Sequence, residues 1–174
     1  MESWEEGIDT GEVPPDGSSF DVIVVGGGPC GSAAAAYNAM NGCKVLLIEK
    51  EIWPRDKPCG DAVGGKSLSH VEELGVKAMI EATPHFRVDS IIFGSANGSM
   101  VRVMLPKEEY ENKMAGYALP RVQFDYMMFK RASELVLEAG GAVIQGFSVM
   151  DVTTDYMRVT GVAGRLGGRH SANP

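Results

Sequence analysis

Apolar residues in this chain fall into three kinds of run, and each predicts a different element. "FDVIVVG", Phe20 to Gly26, and "CKVLLIEK", Cys43 to Lys50, are unbroken stretches rich in branched residues, the pattern of strands buried on both faces. Between them "PCGSAAAAYNAMNG" is alanine-rich, with Pro29 tolerated in a first helical turn and Gly42 placed to end the helix. Strand, helix, strand with tight connections is a crossover unit, which requires parallel pairing of its two strands. Farther on, "RVQFDYMMFKRASELVLEAGG" sets Phe124, Met128, Ala132, Leu135 and Ala139 at helical spacing ahead of a glycine pair. "FRVDSIIFGSANGSMVRVMLP" alternates instead, and Asn97-Gly98 at its centre predicts a β-hairpin closed by a tight turn. Short helices over "SLSHVEELG" and "VKAMIEA", an irregular segment from Glu51 to Lys66, and strand character over "AVIQGFSVMDVTTDYMRVTGV" complete the pattern.

These elements describe an α/β domain over residues 20–164, a parallel sheet with inserted hairpin strands, followed by a loop over 165–174. No strand follows Val162 to cover the sheet's edge, which predicts a reading frame cut short within a larger fold.

Charge changes the picture little. The formal net charge is −7, but Glu2, Glu5, Glu6, Asp9, Glu12 and Asp16 lie in residues 1–19, which hold no Lys or Arg. The rest carries 17 acids against 16 bases, so no basic stripe is available to gather nucleic-acid phosphates, and nucleic acid is not an expected partner. Residues 1–19 lack the basic and apolar regions of a secretory leader and read as a flexible acidic tail. No run approaches the roughly eighteen apolar residues of a membrane span, so a cytoplasmic protein is expected. Three cysteines without a C-x-x-C pair argue against a disulfide framework or a zinc site, the three histidines lack ligand spacing, and no metal is assigned.

Two glycine clusters compete for a phosphate. "GDAVGGKS", Gly60 to Ser67, satisfies G-x-x-x-x-G-K-[ST], the pattern of ATP- and GTP-hydrolysing loops. The segment before it, "WPRDKPC", has two prolines and three charges and does not suit a central strand, so the pattern lacks its structural context. The other cluster, Gly26, Gly28 and Gly31, forms G-x-G-x-x-G at a strand-helix junction: the first for the tight turn, the second for approach of a pyrophosphate, the third for helix-strand packing. Glu49, ending the next strand, is placed to accept hydrogen bonds from an adenosine ribose. An acid there favours FAD or NAD over NADP. Arg55 and Lys57 are near enough to reach a phosphate but read as exposed loop charges.

Taken together, "DVIVVGGGPCGSAAA", "VLLIEK", "RDKPCGDAVGGKSL" and "LPRVQFDYMMFKRASELVLEAGGAV" resemble the geranylgeranyl reductases, flavoproteins of the wider aromatic-hydroxylase-like FAD superfamily. The resemblance runs from about Asp21 to Val162, and "KPCGDAV" is its most specific part. It implies a Rossmann-like FAD-binding domain, truncated before the substrate domain. It implies FAD held through Gly26, Gly28, Gly31 and Glu49, with Arg121 near the phosphates or ribityl chain and Cys59 and Gly60 beside the flavin ring. The implied activity is reduction of isoprenoid double bonds by hydride from reduced flavin, on geranylgeranyl lipids, chlorophyll precursors or quinones. NAD(P)H or ferredoxin would be the electron donor, and the lipid substrate implies peripheral membrane contact. A catalytic role for Cys59 stands beside that of a small buried hydrophobe, and Asp61 is either a polar group of that site or a turn cap. Rival readings are a flavin-dependent aromatic monooxygenase or halogenase, an ATPase using residues 60–67, and a non-catalytic nucleotide-binding module.

Overall fold

The computed structural model describes residues 7–8, 10–106 and 116–167, so parts of the expected acidic tail and of the expected C-terminal loop lie outside the described residues. The chain divides into two compact units, residues 1–57 with 122–174 and residues 58–121.

The first unit is built on β1 (Val22–Val25), α1 (Pro29–Met40) and β2 (Val45–Ile48). The two strands pair in parallel, Val22 opposite Val45 through Val25 opposite Ile48, as the crossover pattern predicts. A long helix, α4 (Arg121–Glu138), leads to β8 (Ala142–Ile144), which pairs in parallel with the other edge of β2, giving the order β1-β2-β8. All four residues of β2 are buried. Strand β1, which pairs with β2 alone among the described residues, is less buried, and its Val25 is exposed.

Alternation along β2 divides its side chains between two faces. On one, Leu46 and Ile48 cluster with Ile144 and take Phe147, Val149 and Val162 from the hairpin β9 (Phe147–Asp155) and β10 (Arg158–Leu166). On the other point Val45 and Leu47, both fully buried. Helix α1 packs on β1 and β2 and buries Ser32, Ala35, Ala36 and Ala39, a stripe of small residues at i, i+3, i+4 and i+7 that lets the backbones approach closely. Gly42, at φ +83°, carries the chain out of this helix. Helix α4 is buried over a wider arc than its apolar spacing suggests, taking in Asp125, Tyr126, Met127, Phe129 and Ser133, whereas Leu135 is only half-buried. The strand β10 runs to Leu166, which pairs with Phe147, so residues 165 and 166 are ladder where a loop is expected.

The second unit holds β3 (Ala62–Val63), α2 (Ser67–Glu73), α3 (Val76–Glu81), β4 (Phe86–Arg87), the hairpin β5 (Ser90–Gly94) and β6 (Met100–Met104), and β7 (Tyr117–Ala118). The hairpin forms with Gly98 at φ +87° in its turn, as Asn97-Gly98 predicts. Strands β3 and β4 flank β7 in antiparallel pairs. Its core is small, with Leu68, Val71, Leu74, Val76 and Ile80 buried along α2 and α3.

Candidate cofactor-binding site

The junction of β1 and α1 has the geometry its glycines predict, with one addition. Gly26 leaves the strand at φ +104°, a conformation that L side chains rarely adopt, and its N–H continues the ladder to the Ile48 carbonyl at 2.7 Å. A Cβ on Gly31 would stand 1.8 Å from the Gly26 carbonyl oxygen, so helix and strand could not approach as they do. Gly27 is outside the three-glycine motif yet equally constrained: a Cβ there would lie 2.5 Å from the Phe129 ring and 3.2 Å from the Glu49 Cβ. Gly28 is the N-cap of α1 and offers no side chain to its first turn, whose N–H groups have no intrahelical acceptor. That turn is a binding surface for an anion.

Glu49 follows β2 directly and is 5% exposed. Its Oε2 accepts from the Gly27 N–H at 2.5 Å and its Oε1 from the Glu51 N–H at 2.9 Å. Each carboxylate oxygen is thus oriented by one backbone donor and keeps lone pairs for hydroxyl groups. Hydrogen bonds to a charged acceptor contribute about 1.5–3 kcal/mol, so Glu49 ties the glycine loop to the end of β2 as well as facing the cavity.

That cavity, about 390 Å³, is lined by Gly26, Gly28 and Glu49 together with Arg55 and its neighbours in the following loop. Arg55 overturns its reading as an exposed loop charge. Its side chain is 9% exposed, its guanidinium lies over the Trp53 ring at 4.4 Å, and its Nη1 is 3.4 Å from Asp125 Oδ2. Trp53 in turn stacks on Phe129, centroids 5.1 Å apart. Sequence reasoning misses this group because the partners that bury it stand on α4, far along the chain. The only local signal is Trp53 two positions earlier.

The remaining expected site residues belong to the second unit. Cys59 is an exposed free thiol, so the reading of a small buried hydrophobe does not hold. Gly60 is exposed, and a Cβ there would meet nothing within 4 Å. Asp61 is a cap: its Oδ1 accepts from the Arg121 N–H at the start of α4 at 3.2 Å, and its carbonyl accepts from Leu119 at 2.9 Å. Thus Gly26, Gly28 and Glu49 meet at one cavity and Gly31 supports it from within the helix, whereas Cys59, Gly60, Asp61 and Arg121 adjoin one another in the other unit.

Residues 60–67 are not preceded by a buried parallel strand: Ala62 and Val63 form a two-residue antiparallel strand with Ala118 and Tyr117, and the Ser67 hydroxyl donates to the Gly64 carbonyl at 2.7 Å. That context does not favour the ATPase reading, because a phosphate loop leaves a central strand directly. Among the described residues no cluster of three metal-ligating side chains occurs, and no helix is long and apolar enough to cross a membrane.

Comparison with known proteins agrees with this geometry. Menaquinone reductase of Mycobacterium tuberculosis is 33% identical over 140 residues, 80% of this chain and 32% of that protein. Digeranylgeranylglycerophospholipid reductase 1 of Methanothermobacter thermautotrophicus is 39% identical over 116 residues, 64% of this chain and 27% of its own length. Among solved structures, the myxobacterial chondrochloren halogenase, a variant of the FAD-dependent halogenases, matches with a TM-score of 0.72 at 27% identity, over 88% of this chain and 33% of the halogenase. The chain therefore spans about a third of the length of the curated relatives it matches. Residues 19–163 match the FAD binding domain family over a span that contains the glycine loop, Glu49 and α4: the chain belongs to that family, and its cofactor is FAD.

Proposed function

We propose that this chain is the FAD-binding part of an oxidoreductase that reduces isoprenoid carbon-carbon double bonds. The observation that carries the finer reading is the 39% identity to a digeranylgeranylglycerophospholipid reductase, together with the "KPCGD" loop, whose Cys59 and Gly60 are exposed.

In this reading the first turn of α1, beginning at Gly28, receives the pyrophosphate, Gly26 and Gly31 set that turn, and Glu49 accepts from the ribose hydroxyls. Arg121 contributes from the start of α4. When bound and reduced, FAD supplies a hydride to one carbon of the double bond while a proton completes the other. The Cys59 thiol orients the substrate or holds that proton, Gly60 leaves room for a ring to approach, and Asp61 fixes the loop through the Arg121 amide. The electron donor is NAD(P)H or ferredoxin, and a lipid substrate brings the protein to a membrane surface.

A second reading is favoured by the TM-score of 0.72 to the chondrochloren halogenase: oxidative chemistry on an aromatic substrate. Anaerobic turnover of the reduced holoenzyme with a geranylgeranyl lipid separates the two. A product that gains two hydrogens per double bond, with a lower rate for Cys59→Ser at unchanged FAD content, is the expected result. No reduced lipid, with oxygen-dependent hydroxylation or halogenation of an aromatic compound instead, would establish the second reading.

A further inference from the structure

We propose that Asp125 and Trp53 are positioning residues that hold Arg55 in place as a clamp on the diphosphate of FAD, acting beside the amides of the glycine loop. The inference rests on the FAD site proposed above and adds three residues to it. A guanidinium withdrawn from water is unfavourable unless its donors are satisfied, and Arg carries five. Arg55 is nine-tenths buried, yet its Nη1 makes no hydrogen bond; the Asp125 carboxylate lies at ion-pair distance, 3.4 Å, but does not engage it fully. The face of the guanidinium is taken by Trp53, whose own ring is backed by Phe129. What remains is the edge toward the glycine loop, where Nη2 lies 3.4 Å from the position of a Cβ on Gly28.

The cavity lining narrows the class of ligand. Lys50, Arg55 and Lys57 face Glu49, Glu51 and Asp56, so net charge does not select an anion there. Direction does: the first turn of α1 and the Arg55 fork are donors at the same place, and Glu49 Oε1 and Oε2 are already oriented by backbone amides. A group with several acceptor oxygens and at least two negative charges fits between them, followed by hydroxyls that reach Glu49. That order of chemistry is a diphosphate joined to a ribose. Asp125, fully buried on α4, matters because a carboxylate on one side keeps the fork from swinging to another partner.

Titration of the apo chain with FAD, ADP and adenosine, followed by fluorescence at two salt concentrations, tests the clamp. Arg55→Ala is expected to weaken FAD and ADP by about tenfold or more, as for the loss of one charge-assisted phosphate contact. It should also flatten the salt dependence and leave adenosine within about twofold. Asp125→Asn should act in the same direction by a smaller factor, and the double variant should be no weaker than Arg55→Ala alone, since both changes remove one device. Arg55→Lys, which keeps charge but loses the fork, should fall between wild type and Arg55→Ala and guards against a folding defect in the other variants. Equal losses for ADP and adenosine, or additive effects in the double variant, would overturn the clamp while the FAD site stood. A folded wild-type chain that binds neither FAD nor ADP would overturn the site and the clamp together.

Discussion

The two units of the chain solve different problems. In the first, every side chain of β2 is buried and the Glu49 carboxylate follows from the strand itself, held by two backbone amides. In the second, the longest strands, β5 and β6, leave Ile92, Phe93, Met100 and Val101 each about 60% exposed or more, and Asp61 ties residues 59–61 down through one side-chain and one backbone hydrogen bond. The difference teaches where specificity for a dinucleotide can be stored. Ribose and phosphate are recognised by amides and one acid at a strand end, groups that thirty contiguous residues can place. Recognition of a substrate depends on loop side chains whose positions no single strand dictates.

The sharpest way to break this contrast is to add one methyl group to each unit. Gly31→Ala drives a Cβ to 1.8 Å from a backbone oxygen, which no rotamer change relieves. It should cost on the order of 3 kcal/mol, the upper end for an overpacked site, and abolish FAD retention. Gly60→Ala meets nothing within 4 Å and should stay within about 0.5 kcal/mol of wild type. Denaturant midpoints and the bound-flavin absorbance of the two variants give the comparison directly. Similar losses in both would mean that the exposed loop is as constrained as the glycine turn.

The next step down is Glu49→Gln, which keeps shape and removes charge. Of the two amides, Gly27 and Glu51, one then faces an NH₂ group and the other a weaker neutral acceptor. A loss of about 2 kcal/mol in stability is expected, within the range for hydrogen bonds to charged groups. Because the same oxygens are proposed to accept from ribose, affinity for adenosine should fall with that for FAD, the opposite of the Arg55→Ala pattern. An unchanged adenosine affinity would confine Glu49 to the fold.

How far these features could be read in the sequence follows the same division. The β1-α1-β2 crossover, the positive φ of Gly26, the close helix-strand approach at Gly31 and the Asn97-Gly98 hairpin are decided by residues a few positions apart, and these geometries appear as expected. Gly27 escaped because what it touches, Phe129, is brought to it only by the packing of α4. Arg55 reads as an exposed charge for the same reason: its burial depends on Asp125 and on the Trp53-Phe129 stack, neither of which a loop rich in prolines and charges announces. The extension of β10 to Leu166 was hidden by glycines, which the ladder with β9 tolerates; a side chain on Gly164 would meet the Ser148 carbonyl at 2.2 Å.

The smallest expected loss lies in the interior of the second unit and asks whether its core has a polar anchor. Tyr117 on β7 is 2% exposed and its hydroxyl donates to Glu81 Oε1 at 2.8 Å, while His85 meets its ring edge-on. Burial, and after it the hydrogen bond and charge of Glu81, push the phenol up to about 12. Folding therefore favours the neutral phenol. The stabilisation is complete below the unfolded value near 10 and is lost as pH rises from there through about 12. Tyr117→Phe should cost about 1 kcal/mol at pH 8, the usual contribution of one hydrogen bond, because Glu81 is exposed and water replaces the lost donor. Other phenols and lysines also titrate at high pH, so the informative quantity is the difference between wild type and variant, measured by urea unfolding at pH 8 and pH 11. That difference should shrink as the pH rises. A constant difference would mean that the hydroxyl contributes by packing alone, and the second unit would then depend wholly on its small apolar core.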